Sequence, residues 1–175
     1  MGSPKQLLDF KGLPLLRHAA LTALAADCGP VVVVLGARSY DLRPAIANMP
    51  VETVVNADWA LGMGSSIQVG LRALEGRLEV TGAILALGDQ PYVTGEFLRR
   101  LVVRGSRIVA ARYGGTVGVP AYFSRAAFPL LMALSPEQGC KGVILGNADG
   151  RLLVDCKEAE MDIDTPEDYR AAVQS

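Results

Sequence analysis

The sequence predicts an α/β fold of three layers, in which a mostly parallel sheet is covered by helices on both faces and the C-terminal part is mixed. Three observations support this class. The length of 175 residues suits a single core, since a domain commonly holds about 150 residues. Half of the residues are hydrophobic and only 20% are charged. Short apolar runs alternate with segments of helical periodicity, which is typical of βαβ units. We therefore expect residues 1–175 to form one domain.

The first half contains the clearest of these units. Residues 14–29, "PLLRHAALTALAADCG", place apolar residues at helical spacing, with Pro14 in the first turn and Gly29 as the stop. The continuous β-branched run "VVVVLG" predicts a strand buried on both faces. A short helix at about residues 40–47 and a strand at residues 51–55 follow.

The second half combines strands and helices less regularly. Residues 82–91, "GAILALGDQP", predict another buried strand that ends in a polar turn, and Thr94 is expected to cap the next helix. Two strands around Gly114 and Gly115 predict a hairpin. The remaining predictions are helices in "RAAFPLLMAL" and "KGVILGN", a strand in "RLLVDC", and a last helix that starts around Thr165, Pro166 and Asp168.

Charge and cysteine content exclude several classes of function. Lysine and arginine number 17 against 18 aspartates and glutamates, so we expect no nucleic-acid partner. Cys28, Cys140 and Cys156 lie far apart without a C-x-x-C pair, which argues against zinc and against a disulfide framework and favours a reducing cytoplasm. No apolar run approaches the roughly 18 residues that cross a bilayer, so we expect no membrane partner.

Three polar clusters lie near the predicted ends of strands or loops. Open parallel sheets bind ligands outside the carboxyl ends of their strands. The first is "MGSPK", in which Gly2 allows close approach of the backbone to a phosphate and Lys5 supplies a mobile positive charge. A loop of this kind normally follows a strand, and no strand precedes this one in the sequence. The alternative is an ordinary surface lysine after an artificial start sequence.

The second cluster is "NADWALGMGSSIQVGL", between a predicted strand and a predicted helix. Gly62 and Gly64 free the backbone, and Ser65 or Ser66 is expected to cap the helix and leave amides aimed at a ligand. The alternative is a glycine-rich turn with a helix cap and no ligand.

The third cluster is "LGDQP", which puts Asp89 just past an apolar strand, where a carboxylate is well placed to hold Mg²⁺. The segment "DIDTP" offers Asp162 and Asp164 as further carboxylates on one face of an extended chain. The alternatives are an Asx-turn at Asp89 and a local turn at Asp164. His18 lies within a helix of leucine and alanine and is interpreted as structural, so a Ser-His-Asp or Cys-His enzyme has little basis.

Taken together, these motifs resemble the nucleotidyltransferases of the molybdenum cofactor pathway, with the cytidylyltransferase branch as the best match. The resemblance spans residues 2–169 and also includes "GLPLL", "GVP" followed by "FS", and "DIDTPEDY". It implies a Rossmann-like nucleotidyltransferase fold. In the family the first piece ends a longer glycine-rich loop behind the first strand, so the resemblance implies that residues 1–175 lack that strand and the front of the loop.

The resemblance also implies an activity. CMP or GMP would pass from a nucleoside triphosphate to the phosphate of a molybdopterin-type acceptor, with Mg²⁺ as cofactor and pyrophosphate as product. Its implied site residues fall into three groups. They are Lys5 and Asp89 as catalytic residues, with Asp162 and Asp164 as further metal ligands; Gly2, Lys5, Gly62, Gly64, Ser65 and Ser66 at the nucleotide; and Gly118, Pro120, Gln138 and Lys141 at the second substrate. The chain departs from the family pattern at residues 118–120 and 136–141, on the side of the second substrate.

Two other classes of function stay open at this point. One is a non-catalytic accessory module that binds a pterin for a molybdenum hydroxylase. This class stays open because the resemblance does not imply that residues 1–175 alone are active. The other is a nicotinamide-dependent oxidoreductase of the same fold family, although no G-x-G-x-x-G follows a strand.

We also expect the strands at residues 31–35 and 84–87 to have unpaired edges, which favours association.

Overall fold

The computed structural model describes residues 4–174, which form an α/β fold. Its strands are β1 (Asp9–Phe10), β2 (Leu13–Pro14), β3 (Val32–Leu35), β4 (Glu52–Val55), β5 (Gly82–Leu85), β6 (Ile108–Tyr113), β7 (Thr116–Ser124) and β8 (Arg151–Asp155). Its α-helices are α1 (Leu15–Ala26), α2 (Ser39–Leu42), α3 (Met63–Arg72), α4 (Gly95–Arg100), α5 (Phe128–Met132), α6 (Lys141–Gly146) and α7 (Pro166–Gln174). Within this part of the chain, no helix has the length and apolar character needed to cross a membrane.

The strands form three separate sheets. β1 and β2 are an antiparallel pair, and β3 and β4 are a parallel pair. The third sheet has the order β5-β7-β6-β8, in which β7 runs antiparallel to both neighbours while β6 and β8 are parallel. The α/β class and the mixed C-terminal part predicted from the sequence are therefore confirmed.

The core lies on both faces of the mixed sheet. In β6, Ile108 and Ala110 face α3, α5 and α6, whereas Val109 and Ala111 face α4 and the end of α1. All four residues are fully buried, at 0% exposure. Successive side chains of a strand point to opposite faces, so this alternation shows directly that helices cover both sides of the sheet.

Several helices differ in extent from the prediction. α1 ends at Ala26, because Asp27 rather than Gly29 adopts the left-handed conformation, with φ of 51°. The helix predicted at residues 40–47 is α2 followed by a 3₁₀ turn, Arg43–Ile46, and the helix in "RAAFPLLMAL" begins as the 3₁₀ turn Arg125–Ala127. Proline lies at the start of the second segment in both cases, and its missing N–H interrupts the α-helical hydrogen bonds.

The β1–β2 hairpin was not predicted. Lys11 and Gly12, with φ of 53° and 84°, form its two-residue turn, and the Gly12 amide donates to Asp9 Oδ1 at 3.0 Å. Two consecutive residues of positive φ match the twist of a tight hairpin. The Tyr169 hydroxyl donates to the Asp9 carbonyl at 2.8 Å, so the hairpin holds the start of the chain against α7.

Two of the predicted helix caps, those at Thr94 and Thr165, are present. The amide of Phe97 donates to Thr94 Oγ1 at 3.1 Å. At α7, the amide of Asp168 donates to Thr165 Oγ1 at 3.1 Å, and the amide of Thr165 donates back to Asp168 Oδ2 at 2.7 Å. This reciprocal pair fixes the chain just after the "DID" segment.

Candidate active site

Lys5 lies between two carboxylates that are distant from it in sequence. Its Nζ donates to Asp89 Oδ2 at 2.6 Å and to Asp164 Oδ1 at 2.7 Å. The exposed fractions of the side chains are 33% for Lys5, 19% for Asp89 and 60% for Asp164. The contact with Asp89 is therefore the better shielded of the two.

Backbone contacts bring the two acidic segments together. The amide of Ile163 donates to the carbonyl of Asp89 at 2.9 Å, which lays the "DID" segment along the turn after β5. Ile163 is buried, at 2% exposure, while Asp162 and Asp164 on either side of it are exposed. This is the alternation that the sequence predicts.

Only one oxygen of the Asp89 carboxylate accepts a hydrogen bond from another described residue. Its Oδ1 is buried and has no hydrogen-bond partner among residues 4–174, whereas Oδ2 accepts from Lys5. The Asx-turn alternative for Asp89 is wrong, because neither oxygen accepts from a neighbouring backbone amide among the described residues. A buried anionic oxygen without a donor is costly, and a bound cation would offset that cost.

Burial and neighbouring charges shift the pKa values of Lys5 and Asp162. Burial lowers the pKa of Lys5, but hydrogen bonds and charges from Asp164 and Asp89 outweigh burial, so the pKa is raised overall. Burial, followed by the negative charge of Asp164, raises the pKa of Asp162. The neighbouring carboxylates Asp164 and Asp89 therefore repel the charge of Asp162. Among residues 4–174, no three His, Cys, Asp or Glu side chains are grouped so that they would hold a metal ion by themselves.

A small cavity opens beside the ion pair. It has a volume of about 180 Å³ and is lined by Lys5, Gln6, Leu15, Leu87, Gly88 and Asp89. Its position at the carboxyl end of β5 is where open α/β sheets bind ligands.

The glycines of the second cluster have a packing role. A Cβ on Gly64 would lie 2.4 Å from the carbonyl oxygen of Ser135, and one on Gly62 would lie 2.7 Å from Glu137 Cα. The amide of Ser65 also donates to the carbonyl of Pro136 at 3.2 Å. The start of α3 therefore packs directly on residues 135–138, where both glycines allow the close approach.

The serines of this cluster are held by a residue that was not singled out from the sequence. Asn56 is 1% exposed, and its Nδ2 donates to Ser65 Oγ at 2.8 Å and to Ser66 Oγ at 2.9 Å. The expected serine cap of α3 is wrong, since Gly62 occupies the cap position without a side-chain hydrogen bond. A polar residue directly after β4 was the signal for Asn56.

The residues expected at the second substrate fall into two pairs. Gly118 and Pro120 are buried in β7, where a Cβ on Gly118 would lie 2.6 Å from the Tyr113 hydroxyl and Pro120 follows a cis peptide bond. Gln138 and Lys141 are exposed near the start of α6. No hydrogen bond or ion pair between described residues joins the two pairs. Gln138 instead lies close to the second cluster, since a Cβ on Gly64 would lie 2.8 Å from the Gln138 carbonyl.

Two further predictions concern Gly2 and His18. Gly2 lies outside the described residues. His18 lies in α1 and packs edge-on against Phe10 with ring centroids 5.0 Å apart, and burial lowers its pKa, as expected of a structural histidine.

Gln90 was also not anticipated. It is 7% exposed, and its Nε2 donates to the Ala159 carbonyl at 2.8 Å. It ties the turn that carries Asp89 to the segment before "DID". Only its place directly after Asp89 in "LGDQP" marked it.

Several solved structures have a similar fold. The solved structure of Rv0371c from Mycobacterium tuberculosis H37Rv matches with a TM-score of 0.81 and 31% identity, over 100% of this chain and 91% of that one. Another structure of Rv0371c is a complex with manganese, with a TM-score of 0.80 and 31% identity over 98% of this chain and 92% of that one. Molybdopterin-guanine dinucleotide biosynthesis protein A from Archaeoglobus fulgidus shares the fold, with a TM-score of 0.71 at 16% identity over 99% of this chain and 90% of that one.

Sequence comparison adds a relative of different chemistry and a family. The nicotine blue oxidoreductase of Paenarthrobacter nicotinovorans is 32% identical over 178 residues, which is 94% of this chain and 85% of that protein. The family model described as the MobA-like NTP transferase domain matches residues 1–151. The fold is accordingly a Rossmann-like nucleotidyltransferase fold, and the chain belongs to the MobA-like NTP transferase domain family.

Proposed function

We propose that the protein is a cytoplasmic, Mg²⁺-dependent nucleotidyltransferase of molybdenum cofactor maturation. It transfers CMP or GMP from a nucleoside triphosphate to the phosphate of a molybdopterin-type acceptor. An oxygen of the acceptor phosphate attacks the α-phosphorus of the triphosphate. The bond from that phosphorus to the bridging oxygen of the β-phosphate breaks, and pyrophosphate leaves.

The observation that carries this proposal is the buried, unpartnered Oδ1 of Asp89 beside the Lys5 ammonium. One oxygen faces a fixed positive charge, and the other is free for a cation that arrives with the substrate. Phosphoryl chemistry depends on positioning and charge neutralisation rather than on a protein nucleophile. A site with Lys and Asp and without a catalytic histidine fits that requirement.

Different residues of the chain would bind the triphosphate, the rest of the nucleotide and the acceptor. Lys5 is a mobile cation that would move from its two carboxylates towards the phosphates of the triphosphate. Gly62, Gly64, Ser65 and Ser66 would line the nucleotide, in a segment fixed by Asn56 and by residues 135–138. Gly118, Pro120, Gln138 and Lys141 would face the acceptor.

The divalent ion would be held by Asp89 with Asp162 and Asp164. When bound, it neutralises charge that develops on the phosphate oxygens. Magnesium commonly takes only one or two protein carboxylates and completes its shell with water and phosphate oxygens, so the sparse acidic cluster suits it. The manganese complex of Rv0371c, a protein 31% identical to this chain, supports a divalent ion.

Pyrophosphate release tests the proposal. The protein is incubated with Mg²⁺, a molybdopterin acceptor and each of CTP, GTP, ATP and UTP in turn. We expect release with CTP or GTP that requires both Mg²⁺ and the acceptor, and its loss in Asp89→Asn. Asp155→Asn is the matched control, since Asp155 is an exposed carboxylate on β8 that is paired with Arg112. Turnover that continues at a near-normal rate in Asp89→Asn contradicts the assignment.

The similarity to nicotine blue oxidoreductase favours one second candidate, a nicotinamide-dependent oxidoreductase. The discriminating measurement is absorbance of the reduced nicotinamide during turnover. Oxidation or reduction of the nicotinamide without pyrophosphate release would support this candidate, and pyrophosphate release without a change in absorbance would exclude it.

A further inference from the structure

The strand β8 forms one edge of the mixed sheet. It is hydrogen-bonded to β6 and to no other strand in the described part of the chain. The pairing runs from Arg151 to Asp155 without a shift of register. Edge strands of soluble proteins are commonly protected by proline, lysine or a bulge, and β8, with the sequence "RLLVD", has none of these. The outer edge of β8 can therefore pair with another strand.

The hydrogen bonds to β6 show which backbone groups of β8 point outward. The amide of Cys156 donates to the Arg112 carbonyl at 3.0 Å, and Arg112 lies opposite Asp155 in the parallel register. In a parallel pair only one residue of each opposite pair bonds to the other strand, so Asp155 directs its N–H and C=O groups away from β6. Leu153 and Arg151 do the same at alternate positions. These outward groups have no backbone hydrogen bond to another residue in the range 4–174.

A second copy of β8 in antiparallel orientation matches the outward groups. When Leu153 lies opposite Leu153 of the second copy, Arg151 lies opposite Asp155, and every outward group falls in a hydrogen-bonded pair. This register forms about six hydrogen bonds, two for each such pair. A shift of two residues forms fewer bonds, and a shift of one residue places outward groups opposite groups that already bond to β6. The backbone therefore favours the register centred on Leu153.

The charges of β8 are complementary in the same register. Arg151 and Asp155 would face each other twice across the two-fold axis, whereas a parallel in-register pair would bring like charges together. Arg151 uses only Nη1 in its bonds to described residues, at 2.7 Å from the Ile144 carbonyl. Asp155 accepts from Arg112 and is still 71% exposed. Both side chains can thus reach a second copy, and opposite charges across antiparallel strands stabilise the pair.

Exposed apolar side chains flank the same edge. Leu152 is 48% exposed on the face of β8 that also carries Val154. In the centred register Leu152 lies opposite Val154 of the second copy, in a non-hydrogen-bonded pair, where side chains approach most closely. Leu145 of α6 is 51% exposed and lies beside Arg151, since its carbonyl accepts from the Arg151 guanidinium at 3.2 Å. Apolar side chains grouped at an exposed edge are typical of an interaction surface.

We propose that β8 is an interface at which two copies of this chain pair edge to edge, antiparallel and centred on Leu153, so that the mixed sheet continues through the dimer. A strand from a different protein would need an acidic and a basic end in the matching order, and a second copy has that order by symmetry. The outer strand β4 lacks this symmetry, because Glu52 is its only charged residue.

Disulfide trapping tests the register directly. One sample carries Leu152→Cys and the other carries Val154→Cys, both in a Cys28→Ser background. Cys28 is the exposed native cysteine, whereas Cys140 and Cys156 are buried. The samples are incubated with oxidised glutathione, separately and mixed, and the joined peptides are identified by mass spectrometry.

We expect the mixture to form the 152–154 disulfide at least about 10-fold faster than either sample forms a disulfide with itself. In the centred register, identical residues lie two positions apart along the strands, and their Cα atoms are more than about 7 Å apart, beyond the reach of a disulfide. The control replaces the first sample with Leu78→Cys, since Leu78 is 90% exposed in the connection between α3 and β5. That mixture should form no disulfide at a comparable rate.

Light scattering at a series of protein concentrations measures the dimer without trapping. Leu152→Lys should weaken dimerisation at least about 10-fold, because the ammonium group would be brought against Val154 of the second copy and lose hydration. Leu78→Lys is the matched control and should leave dimerisation unchanged, since it makes the same chemical change at a leucine that is 90% exposed.

Three results would overturn the proposal. The first is a monomer at every concentration, with mixed and separate samples trapped at equal rates. The second is faster trapping in the separate samples than in the mixture, which would indicate a parallel or shifted register. The third is a dimer that Leu152→Lys leaves unchanged and that yields no 152–154 disulfide, which would place the interface elsewhere.

Discussion

Replacing Lys5 with Met removes the cation that holds two carboxylates. Met keeps most of the length and apolar volume of the side chain, so the change is chiefly the loss of charge and of the bonds to Asp89 and Asp164 at 2.6 and 2.7 Å. Asp89 would then be a partly buried carboxylate in which neither oxygen has a donor within the described part of the chain. We therefore expect lower stability.

The magnitude follows from how far each bond is exposed. The pair with Asp164, at 60% exposure, is worth about 0.5 kcal/mol after solvent screening. The pair with Asp89, at 19% exposure, is worth about 1–1.5 kcal/mol, the lower end of the range for hydrogen bonds to charged groups, because Lys5 itself is a third exposed. The sum of about 2 kcal/mol corresponds to a fall in Tm of about 4–8 °C for a chain of this length.

A double-mutant cycle in urea isolates the pair. The free energy of unfolding is measured for the wild type, Lys5→Met, Asp89→Asn and the double variant. The control is Lys141→Met, since Lys141 is exposed and forms no ion pair with another described residue. We expect a coupling of about 1 kcal/mol between Lys5 and Asp89, and almost no effect of Lys141→Met. Changes that add to within about 0.3 kcal/mol would refute the reasoning, since additivity is the behaviour of independent sites.

The same pair predicts a pH dependence. The pKa of Lys5 is raised in the folded protein above its usual value of 10.5. A group whose pKa is raised on folding stabilises the protein below its unfolded pKa, and this stability is lost as pH rises through the folded pKa. The difference in stability between wild type and Lys5→Met should thus be constant near neutral pH and shrink above pH 10.5. A difference that grows in that range would contradict the ion pair.

Three further substitutions test other parts of the site. Gly64→Ala should destabilise by about 1–3 kcal/mol in thermal unfolding, since its Cβ would lie 2.4 Å from the carbonyl oxygen of Ser135; Gly142→Ala, with open space, is the control and should be neutral or stabilising. Asn56→Ala should cost about 2 kcal/mol by urea unfolding, because one buried and one partly buried hydrogen bond are lost. Asp162→Asn should raise Tm by about 1–2 °C without metal, because it removes a carboxylate whose pKa is raised by burial and by the negative charge of Asp164. A fall in Tm would contradict repulsion between the two carboxylates.

Local chemistry explains what the sequence predicted well. The run "VVVVLG" contains β3, and the Thr94 and Thr165 caps are where threonine precedes a helix. These features depend on neighbouring residues, so a short window of sequence is enough to find them. The same holds for the placement of Asp89 after β5.

What the sequence missed depends on long-range packing. The contact of Lys5 with Asp164 joins residues 159 positions apart, and no periodicity indicates that one lysine would bridge two carboxylates. The close packing of Gly64 on Ser135 was not predicted either, because the two residues lie in distant segments of the sequence. The two-residue strands β1 and β2 were too short to give an alternating pattern.

Binding of Mn²⁺ in the presence of CTP is the most direct test of the role proposed for Asp89. The free metal signal in electron paramagnetic resonance gives the Kd for wild type, Asp89→Asn and the control Asp155→Asn without requiring turnover. We predict that Asp89→Asn weakens Mn²⁺ binding by at least about 10-fold while Asp155→Asn leaves it unchanged, because the free Oδ1 of Asp89 supplies the anionic ligand. Equal affinity in wild type and Asp89→Asn would contradict the assignment of the metal to this carboxylate.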